Sequence, residues 1–362
     1  MKTTQLYMLP IVLVVLILSS GCGNSSKENG DPEEIIQLIP MPNKVKVGRD
    51  FLEISDGFKL NFAEVFVEIE NNMHSAGFTP AREFDIKSEI ESNLRTYLSS
   101  AGLNISNSGV KVKFSLDNLI VSQKSKSSNY SKNSNSSSNP TSSGNNDIPD
   151  ESYTLSVNRD GVKINAVSEA GLFYAIQTLI QLVEHNPDKL PYIEIEDSPR
   201  FAYRGMHLDV SRHFFSLDFL KKQIDLMAHY KLNRFHWHLT DGPGWRIEIK
   251  QYPDLTNIAA WRTHALWKEW WASGRQYTNE GETNAYGGYY TQEEAKELVE
   301  YAAKRHVTII PEIEMPGHSE EVLAVYPQLS CTGKPYTSSE FCIGNEETFV
   351  FLENVLDEIM DI

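Results

Sequence analysis

Three short segments of the sequence place ionisable side chains directly after apolar runs. They cover residues 209–212 (DVSR), 236–241 (HWHLTD) and 312–318 (EIEMPGH). Carboxylate, guanidinium and imidazole groups hydrogen-bond hydroxyls, carry charge and move protons, so such a set suits a polar binding or catalytic pocket. One charged segment of this kind is common, whereas three in succession indicate that the side chains meet in one site.

A parallel β-sheet would bring these segments together. Strand patterns precede them at residues 205–210, 234–239 and 307–313, and helical patterns follow at 216–227, 292–305 and from 346 onward. Repeated strand–helix units form parallel sheets, and reactive groups collect at the carboxyl ends of the strands. Residues 200–362 are therefore predicted to be an α/β domain. We expect the first part of a (β/α)8 TIM barrel, truncated after about three βα units, because a complete barrel takes about 250 residues.

Residues 35–197 are predicted to form a small α+β domain ahead of the barrel. Alternating apolar residues indicate strands at 110–114, 153–157 and 162–166, and helices are expected over 85–100 and after Ser168. Serine and asparagine dominate residues 122–147. Such a composition cannot bury enough apolar surface to offset the entropy of ordering, so this insertion is predicted to be disordered.

The beginning of the chain has the pattern of an export signal. Lys2 precedes an apolar run over residues 6–18, which is shorter than the roughly 20 residues that span a bilayer. We interpret residues 1–21 as a lipoprotein signal peptide, Cys22 as the lipidated residue and 22–34 as a tether. This predicts a protein anchored in the bacterial cell envelope, facing the periplasm or the outer surface. Simple secretion with an incidental Cys22 is the alternative.

The two remaining cysteines, Cys331 and Cys342, lie in a loop rich in glycine, proline and serine. In an exported protein such a pair is expected to form a disulfide that closes the loop. Two free thiols are the alternative interpretation.

The net charge of the chain limits the classes of partner that it is expected to bind. Its 362 residues include 33 Lys and Arg against 49 Asp and Glu, a formal net charge of −16. Nucleic-acid binding needs a clustered cationic surface, so no nucleic-acid partner is expected. A neutral small molecule or a glycan fits this charge better.

Five blocks of the second domain resemble a known family. They are RGMHLDVSRHFF (204–215), IDLMAHYKLN (224–233), HWHLTD (236–241), GWRIEIKQYP (244–253) and PEIEMPGH (311–318). In this order they are similar to glycoside hydrolase family 20, the β-N-acetylhexosaminidases. The α+β unit resembles the small domain that precedes the barrel of that family, so the resemblance covers almost everything after residue 35.

The resemblance implies a reaction and a set of roles. Members of the family remove terminal β-linked N-acetylglucosamine or N-acetylgalactosamine with retention, using the acetamido oxygen of the substrate as the nucleophile and no cofactor or metal. Arg212 then matches the arginine that holds the hydroxyls of the terminal sugar. Asp241 and His318 match groups that hydrogen-bond with the catalytic glutamate and tune it. Asp209 and Glu314 are expected to support them.

The Asp–Glu pair that orients the acetamide and donates the proton follows the fourth strand in that family. We do not expect it among these residues, because Asp357–Glu358 has the pattern of a solvated helix face. The 362-residue chain alone is therefore expected to lack hexosaminidase activity.

Two other functions are compatible with the residues. His236 and His238 point to one face of their predicted strand, and a metal-dependent hydrolase could use them with Asp209, Asp241 and His318. In the glycosidase interpretation the two histidines are interior residues with satisfied hydrogen bonds. The second alternative is a non-catalytic surface lipoprotein that binds glycans.

Overall fold

The computed structural model describes residues 36–62, 91–92, 95–99, 102–116 and 150–362. The predicted signal peptide and tether, Cys22 and the insertion at 122–147 lie outside these residues, as does most of the helix predicted over 85–100. The described parts of that helix, 91–92 and 95–99, are helical. Across the described residues, every helix is too short or too polar to cross a membrane.

The first domain is built on a six-stranded mixed sheet. Its strands are β1 (Lys44–Glu53), β2 (Phe58–Asn61), β3 (Val110–Leu116), β4 (Tyr153–Asn158), β5 (Gly161–Ala166) and β6 (Lys189–Asp197). They lie in the order β1-β6-β4-β5-β3-β2, with parallel pairing only between β2 and β3 and between β3 and β5 among the described residues. Buried and exposed residues alternate along β3, β4 and β5, as expected for a sheet covered on one face.

Helix α1 (Glu169–His185) covers the inner face of this sheet. It begins at Ser168, whose hydroxyl accepts a hydrogen bond from the backbone N–H of Gly171 at 3.1 Å, as predicted. All of its residues from 170 to 182 are buried, because the second domain packs on the side that the sheet does not cover. A helix buried on all sides is typical of an element between two packed layers.

The second domain has a three-stranded parallel sheet of β7 (Gly205–Asp209), β8 (Arg234–His238) and β13 (Thr308–Glu312), in the spatial order β13-β8-β7. Its longer helices are α2 (Leu217–His229), α5 (Gln292–Ala303) and α7 (Glu346–Met360). All six were predicted, with ends that agree within a few residues. Phe235 and Trp237 of β8 are buried on the face that packs against α2 and α5. The intervening His236 and His238 therefore lie on the opposite face, where the pocket was expected.

Short elements fill the segments between these units. They are β9 (Thr240–Asp241), β10 (Gly244–Trp245), β11 (Trp261–Arg262), β12 (Tyr286–Gly287), α3 (Asp254–Asn257), α4 (Trp267–Ala272), α6 (Glu320–Val325) and a 3-10 helix (Pro327–Leu329). Most of them belong to the long loop between β8 and α5.

The β8–α5 loop is closed at two levels. At its base, the backbone of Tyr290 pairs with that of Arg246 and of Glu248, each through a 2.9 Å hydrogen bond. Further out, β11 and β12 pair as antiparallel strands. Beyond that second closure lies α4, where Trp267 and Trp271 are exposed. The base of the loop is thus fixed to the sheet by its own backbone hydrogen bonds, and Tyr277 of the outer part adds a hydrogen bond to the carbonyl oxygen of Gly242.

Arg246 holds the base of this loop together. The guanidinium is fully buried and donates hydrogen bonds to the carbonyl oxygens of Ser211 (2.7 Å), Gly288 (3.0 Å), Pro243 (3.2 Å) and Ala260. Burial, together with the nearby positive charge of Arg262, lowers the pKa of Arg246 to about 10. One cation therefore satisfies backbone acceptors from four separate segments.

Two buried polar contacts join the domains. The Lys231 ammonium donates to the Tyr153 hydroxyl at 2.7 Å and pairs with the Asp197 carboxylate at 3.1 Å. The Arg204 guanidinium lies 2.6 Å from a carboxylate oxygen of Glu151. Removing one partner of such a pair leaves a buried charge uncompensated, so these contacts fix how the domains dock.

His306 also lies at this interface, and its pKa leads to a testable pH dependence. Its ring lies 5.1 Å from that of Phe173 in α1, and burial lowers its pKa to about 4. As the pH falls from 6.5 toward 4, this histidine is protonated in the unfolded chain before it is protonated in the folded protein. Proton binding therefore favours the unfolded chain and lowers the unfolding free energy by up to about 3 kcal/mol.

We expect the His306→Asn variant to lose less stability than the parent between pH 7 and pH 4, measured by urea unfolding. Asparagine suits the positive φ of 55° at this position. Equal losses of stability in the parent and the variant would contradict the lowered pKa of His306. His264→Asn, in the β8–α5 loop, is the control.

Candidate active site

The carboxyl ends of the three parallel strands lie in register. Asp209 is paired with His238, and His238 with Glu312. The segments that follow the strands therefore leave the sheet at one level and on one edge. The structure brings Arg212, Asp241 and His318 together there, as the sequence predicted.

Asp209 positions Arg212 through a short turn. One carboxylate oxygen of Asp209 accepts hydrogen bonds from the backbone N–H groups of Ser211 (2.9 Å) and Arg212 (3.0 Å). The other lies 2.8 Å from Nη1 of Arg212. An aspartate that bonds the backbone two and three residues ahead stabilises such a turn, which holds the guanidinium over the strand end.

Asp241 is the centre of the site. Its Oδ2 lies 2.5 Å from Nη2 of Arg212, 3.0 Å from Nδ1 of His318 and 3.4 Å from Nε2 of His238. Its Oδ1 accepts the backbone N–H of Gly242 at 2.8 Å. Burial alone would raise the pKa of Asp241, but the hydrogen bond from His238 and the charges of Arg212 and His318 lower it below its usual value. Asp241 is therefore ionised at neutral pH.

His238 lies between two carboxylates. Its Nε2 is 2.9 Å from the carbonyl oxygen of Thr240, and its Nδ1 is 3.5 Å from Oε2 of Glu312. Burial would lower the pKa of His238, yet the hydrogen bond to Asp241 and the charges of Asp209 and Glu312 outweigh it, and the pKa is raised. Both ring nitrogens face oxygen atoms, and Nη1 of Arg212 also lies 3.5 Å from Nε2.

His318 faces the open side of the site. Its side chain is 61% exposed and lies 3.5 Å from Oε1 of Glu314 as well as against Asp241. Glu314 is anchored through its backbone N–H, which donates to the Thr240 hydroxyl at 2.8 Å. The imidazole is thus tied to a buried carboxylate on one side and accessible to a ligand on the other.

His236 and His238 do not form one metal-binding group. His236 lies with His207 and Glu312, whereas His238 lies with Asp241 and Glu314. The set proposed for a metal-dependent hydrolase, in which both histidines join Asp209, Asp241 and His318, is therefore not assembled. His238 is buried, but His236 is 37% exposed and is not an interior residue.

Neither Asp–Glu pair of the sequence lies at this site. Glu151 of the first pair contacts Arg204 between the domains. Glu358 of the second accepts the backbone N–H groups of Lys250 (2.7 Å) and Gln251 (3.0 Å) and the side-chain amide of Gln292 (2.6 Å). Asp357 is exposed, as predicted for a solvated helix face, whereas Glu358 is half-buried because its carboxylate joins α7 to the β8–α5 loop.

Three acidic or basic residues near the site were not predicted to lie there. His207 precedes Asp209 by two positions, as Glu312 precedes Glu314 in the predicted pocket, and this alternation was a signal that could have found it. Glu320 pairs with Arg275 at 3.0 Å and packs against Gly242, where a Cβ atom would lie 2.5 Å from its carboxylate. Glu321 is buried, and burial raises its pKa well above the usual value. Sequence pattern gave no signal for these two.

The structure joins Cys331 and Cys342 by a disulfide in the loop that follows α6. The bond closes a loop with a sequence separation of 11 residues. Chain-entropy arguments assign such a closure about 3 kcal/mol of stabilisation.

We expect a Cys331→Ser/Cys342→Ser variant to lose about 3 kcal/mol of unfolding free energy, measured in urea without reductant. Dithiothreitol should lower the stability of the parent by a similar amount and leave that of the variant unchanged. If the variant is less stable but dithiothreitol does not destabilise the parent, this account of the disulfide is wrong.

A parallel βα sheet with a guanidinium, carboxylates and imidazoles at its carboxyl edge defines an enzyme site of the TIM-barrel type. Family models support this class: "Glycosyl hydrolase family 20, catalytic domain" matches residues 201–362, and "Glycosyl hydrolase family 20, domain 2" matches 35–198. The chain belongs to glycosyl hydrolase family 20.

Curated relatives carry hexosaminidase names. A beta-hexosaminidase of Porphyromonas gingivalis is 42% identical over 229 residues, which cover 59% of this chain and 27% of the relative. A beta-hexosaminidase of Vibrio furnissii is 44% identical over 219 residues, 58% of this chain and 35% of the relative. The matched part thus spans about a third or less of each relative.

Solved structures share the fold of both domains. The exo-β-N-acetylglucosaminidase of Vibrio harveyi, solved with N-acetylglucosamine, has a TM-score of 0.60 at 30% identity. The match covers 89% of this chain and 44% of the Vibrio harveyi chain. The β-N-acetylhexosaminidase of Streptomyces coelicolor has a TM-score of 0.62 at 28% identity, with 89% and 56% covered.

Proposed function

We propose that this protein removes terminal, non-reducing β-linked N-acetylglucosamine or N-acetylgalactosamine from glycans, by a retaining, substrate-assisted mechanism. The observation that carries the proposal is the cluster of Arg212, Asp241 and His318 at one strand edge. The hexosaminidase names of the relatives and the N-acetylglucosamine complex of the Vibrio harveyi enzyme support it.

Arg212 would hold the sugar. Its guanidinium is fixed by Asp209 and Asp241 and remains partly exposed. It carries five N–H donors, more than these two carboxylates use, and donors in a rigid fork suit adjacent sugar hydroxyls. Hydrogen bonds from a guanidinium to neutral hydroxyls are charge-assisted.

Asp241 and His318 would tune a catalytic acid. A proton donor placed against the exposed face of His318 would interact with an imidazole that the ionised Asp241 already holds and orients. The nucleophile in such a mechanism is the acetamido oxygen of the substrate, whose effective molarity is high. The protein then needs no nucleophilic carboxylate, only groups that bind, orient and protonate.

The proton donor would come from an Asp–Glu pair, and both such pairs of this sequence are engaged elsewhere. We therefore propose that the 362-residue chain alone binds the sugar without cleaving it.

Binding and turnover test these statements separately. The chain should bind N-acetylglucosamine or N-acetylgalactosamine in calorimetry. It should release no 4-nitrophenol from a 4-nitrophenyl N-acetyl-β-glucosaminide. Turnover that Glu314→Gln abolishes would overturn the missing-acid proposal and identify Glu314 as the acid. Absence of any sugar binding would contradict the glycosidase site itself.

We also propose that Cys22 carries a lipid that anchors the protein in the bacterial cell envelope. The apolar run at 6–18 and the polar stretch at 22–34 support this. Metabolic labelling with a radioactive fatty acid should mark the protein, and the Cys22→Ser variant should be unlabelled and leave the membrane fraction. Labelling of the variant would contradict the assignment.

A further inference from the structure

Three imidazoles converge on one carboxylate oxygen beside the proposed sugar site. Oε2 of Glu312 lies 2.6 Å from Nε2 of His236, 3.5 Å from Nδ1 of His238 and 3.6 Å from Nε2 of His207. The rings of His207 and His236 stand edge to face with their centres 4.7 Å apart. These groups come from three neighbouring strands, so the sheet itself holds them together.

The Glu312 oxygen is not satisfied by these contacts. Oε2 is buried and has no hydrogen bond of acceptable geometry from any residue that the structure describes. Even the 2.6 Å approach of His236 lacks the alignment that a ring N–H donor needs. A buried, unsatisfied carboxylate oxygen is costly, so this atom is available to a further ligand.

We propose that His207, His236 and Glu312 bind a divalent transition-metal ion of the Zn²⁺ class. Nε2 of each histidine and one Glu312 oxygen supply three ligand atoms, all within 4.8 Å of one another. Zn²⁺ binds imidazole nitrogen and carboxylate oxygen at about 2.0–2.2 Å, so tetrahedral ligands lie about 3.3 Å apart. The 3.6 Å separation of His207 and Glu312 is close to this value. The 2.6 Å contact of His236 would open by less than 1 Å.

The neighbouring group of His238, Asp241 and Glu314 is a poorer metal site. Arg212 lies 2.5 Å from Oδ2 of Asp241, and His318 contacts both carboxylates. A cation there would displace a buried ion pair and meet the guanidinium charge. In the described part of the chain, the ion pairs of Glu312 are with imidazoles alone, and a neutral imidazole is itself a metal ligand.

Access and selectivity follow from the same residues. His207 and His236 are 48% and 37% exposed, so an ion can reach the site from solvent. Two imidazoles and one carboxylate favour Zn²⁺, Ni²⁺ or Co²⁺ over Mg²⁺, which prefers an all-oxygen octahedron. The proposal assigns binding and no step of the glycosidase reaction, and it stands independently of the sugar site.

Calorimetric titration of the full chain with ZnCl2, after treatment with a chelator, tests the proposal. We expect saturation at one ion per chain, binding about tenfold or more weaker in His207→Asn and in His236→Asn, and no heat with MgCl2. The matched control is His264→Asn, which removes an imidazole from the β8–α5 loop and should bind Zn²⁺ as the parent does. Co²⁺ should give visible absorption bands of a four- or five-coordinate ion, and His236→Asn should lose them.

Three outcomes would overturn the proposal. They are no binding by the parent, equal affinity in the parent and both histidine variants, and loss of binding in His318→Asn with His207→Asn unaffected. The last would place the metal in the Asp241 group. Far-UV circular dichroism and melting without metal show whether each variant is folded. If either histidine variant is misfolded, Glu312→Gln takes its place, because it removes the carboxylate and keeps the shape of the side chain.

Discussion

An Arg246→Ala variant is expected to lose about 4 kcal/mol of unfolding free energy, measured by urea denaturation. The substitution leaves buried carbonyl oxygens of Ser211, Pro243, Ala260 and Gly288 without their donor. Each unsatisfied buried acceptor costs about 1–3 kcal/mol, and water entering the cavity recovers part of this. The effect is large because one side chain serves four segments around the site.

Arg275→Ala provides the matched control for this experiment. Arg275 belongs to the same loop, but it is partly exposed and pairs with Glu320 at 3.0 Å. Its substitution removes one part-buried ion pair and, among the described residues, leaves no backbone carbonyl without its donor, so we expect a clearly smaller loss than in Arg246→Ala. If the two variants lose similar amounts of unfolding free energy, Arg246 contributes no more than a single ion pair. That result would contradict its role at the base of the loop. Arg246→Lys should fall between the parent and the alanine variant, because an ammonium has three donors and lacks the planar fork.

An Arg212→Ala variant is expected to bind N-acetylglucosamine about 100-fold more weakly than the parent in calorimetry. Each hydrogen bond from a charged donor contributes about 1.5–3 kcal/mol, so the loss of one or two gives a change of this size. The variant also leaves Asp209 and Asp241 without their shared cation, which adds an unfavourable negative charge to the site.

The matched control is Arg234→Ala. Arg234 begins β8 and therefore lies at the amino end of the same sheet, where it donates to the carbonyl oxygen of Asn233 at 2.8 Å. This variant should bind the sugar as the parent does. Equal weakening in both variants would indicate a general loss of structure, and unchanged binding in Arg212→Ala would remove Arg212 from the sugar site.

The strands and the grouping of Arg212, Asp241 and His318 were predictable because they follow from local patterns. Side chains alternate along a strand, and parallel strands expose their carboxyl ends on one edge. The position of Asp241 at the centre was not predictable from spacing. It depends on contacts with Arg212 and with His318, which is 77 residues away in sequence, and on the turn at Gly242 that buries the carboxylate.

Glu358 and Arg246 show what sequence patterns miss. Glu358 occupies a helix position that periodicity assigns to solvent, yet a distant loop supplies two backbone donors to it. Arg246 follows a buried tryptophan in a short strand, and nothing local indicates that it is enclosed by four carbonyl groups. Such contacts arise when separate segments of the chain pack together, so they become visible only in three dimensions.

The two closures of the β8–α5 loop separate what must stay constant from what can change. The segment between β11 and β12 is not free throughout, because Trp270 and Tyr277 are buried and the Tyr277 hydroxyl donates to the carbonyl oxygen of Gly242, next to Asp241. Residues 279–284 are exposed and lie beyond these contacts. This stretch can therefore be lengthened, shortened or replaced without moving the strand ends, and grafted sequences should be tolerated there.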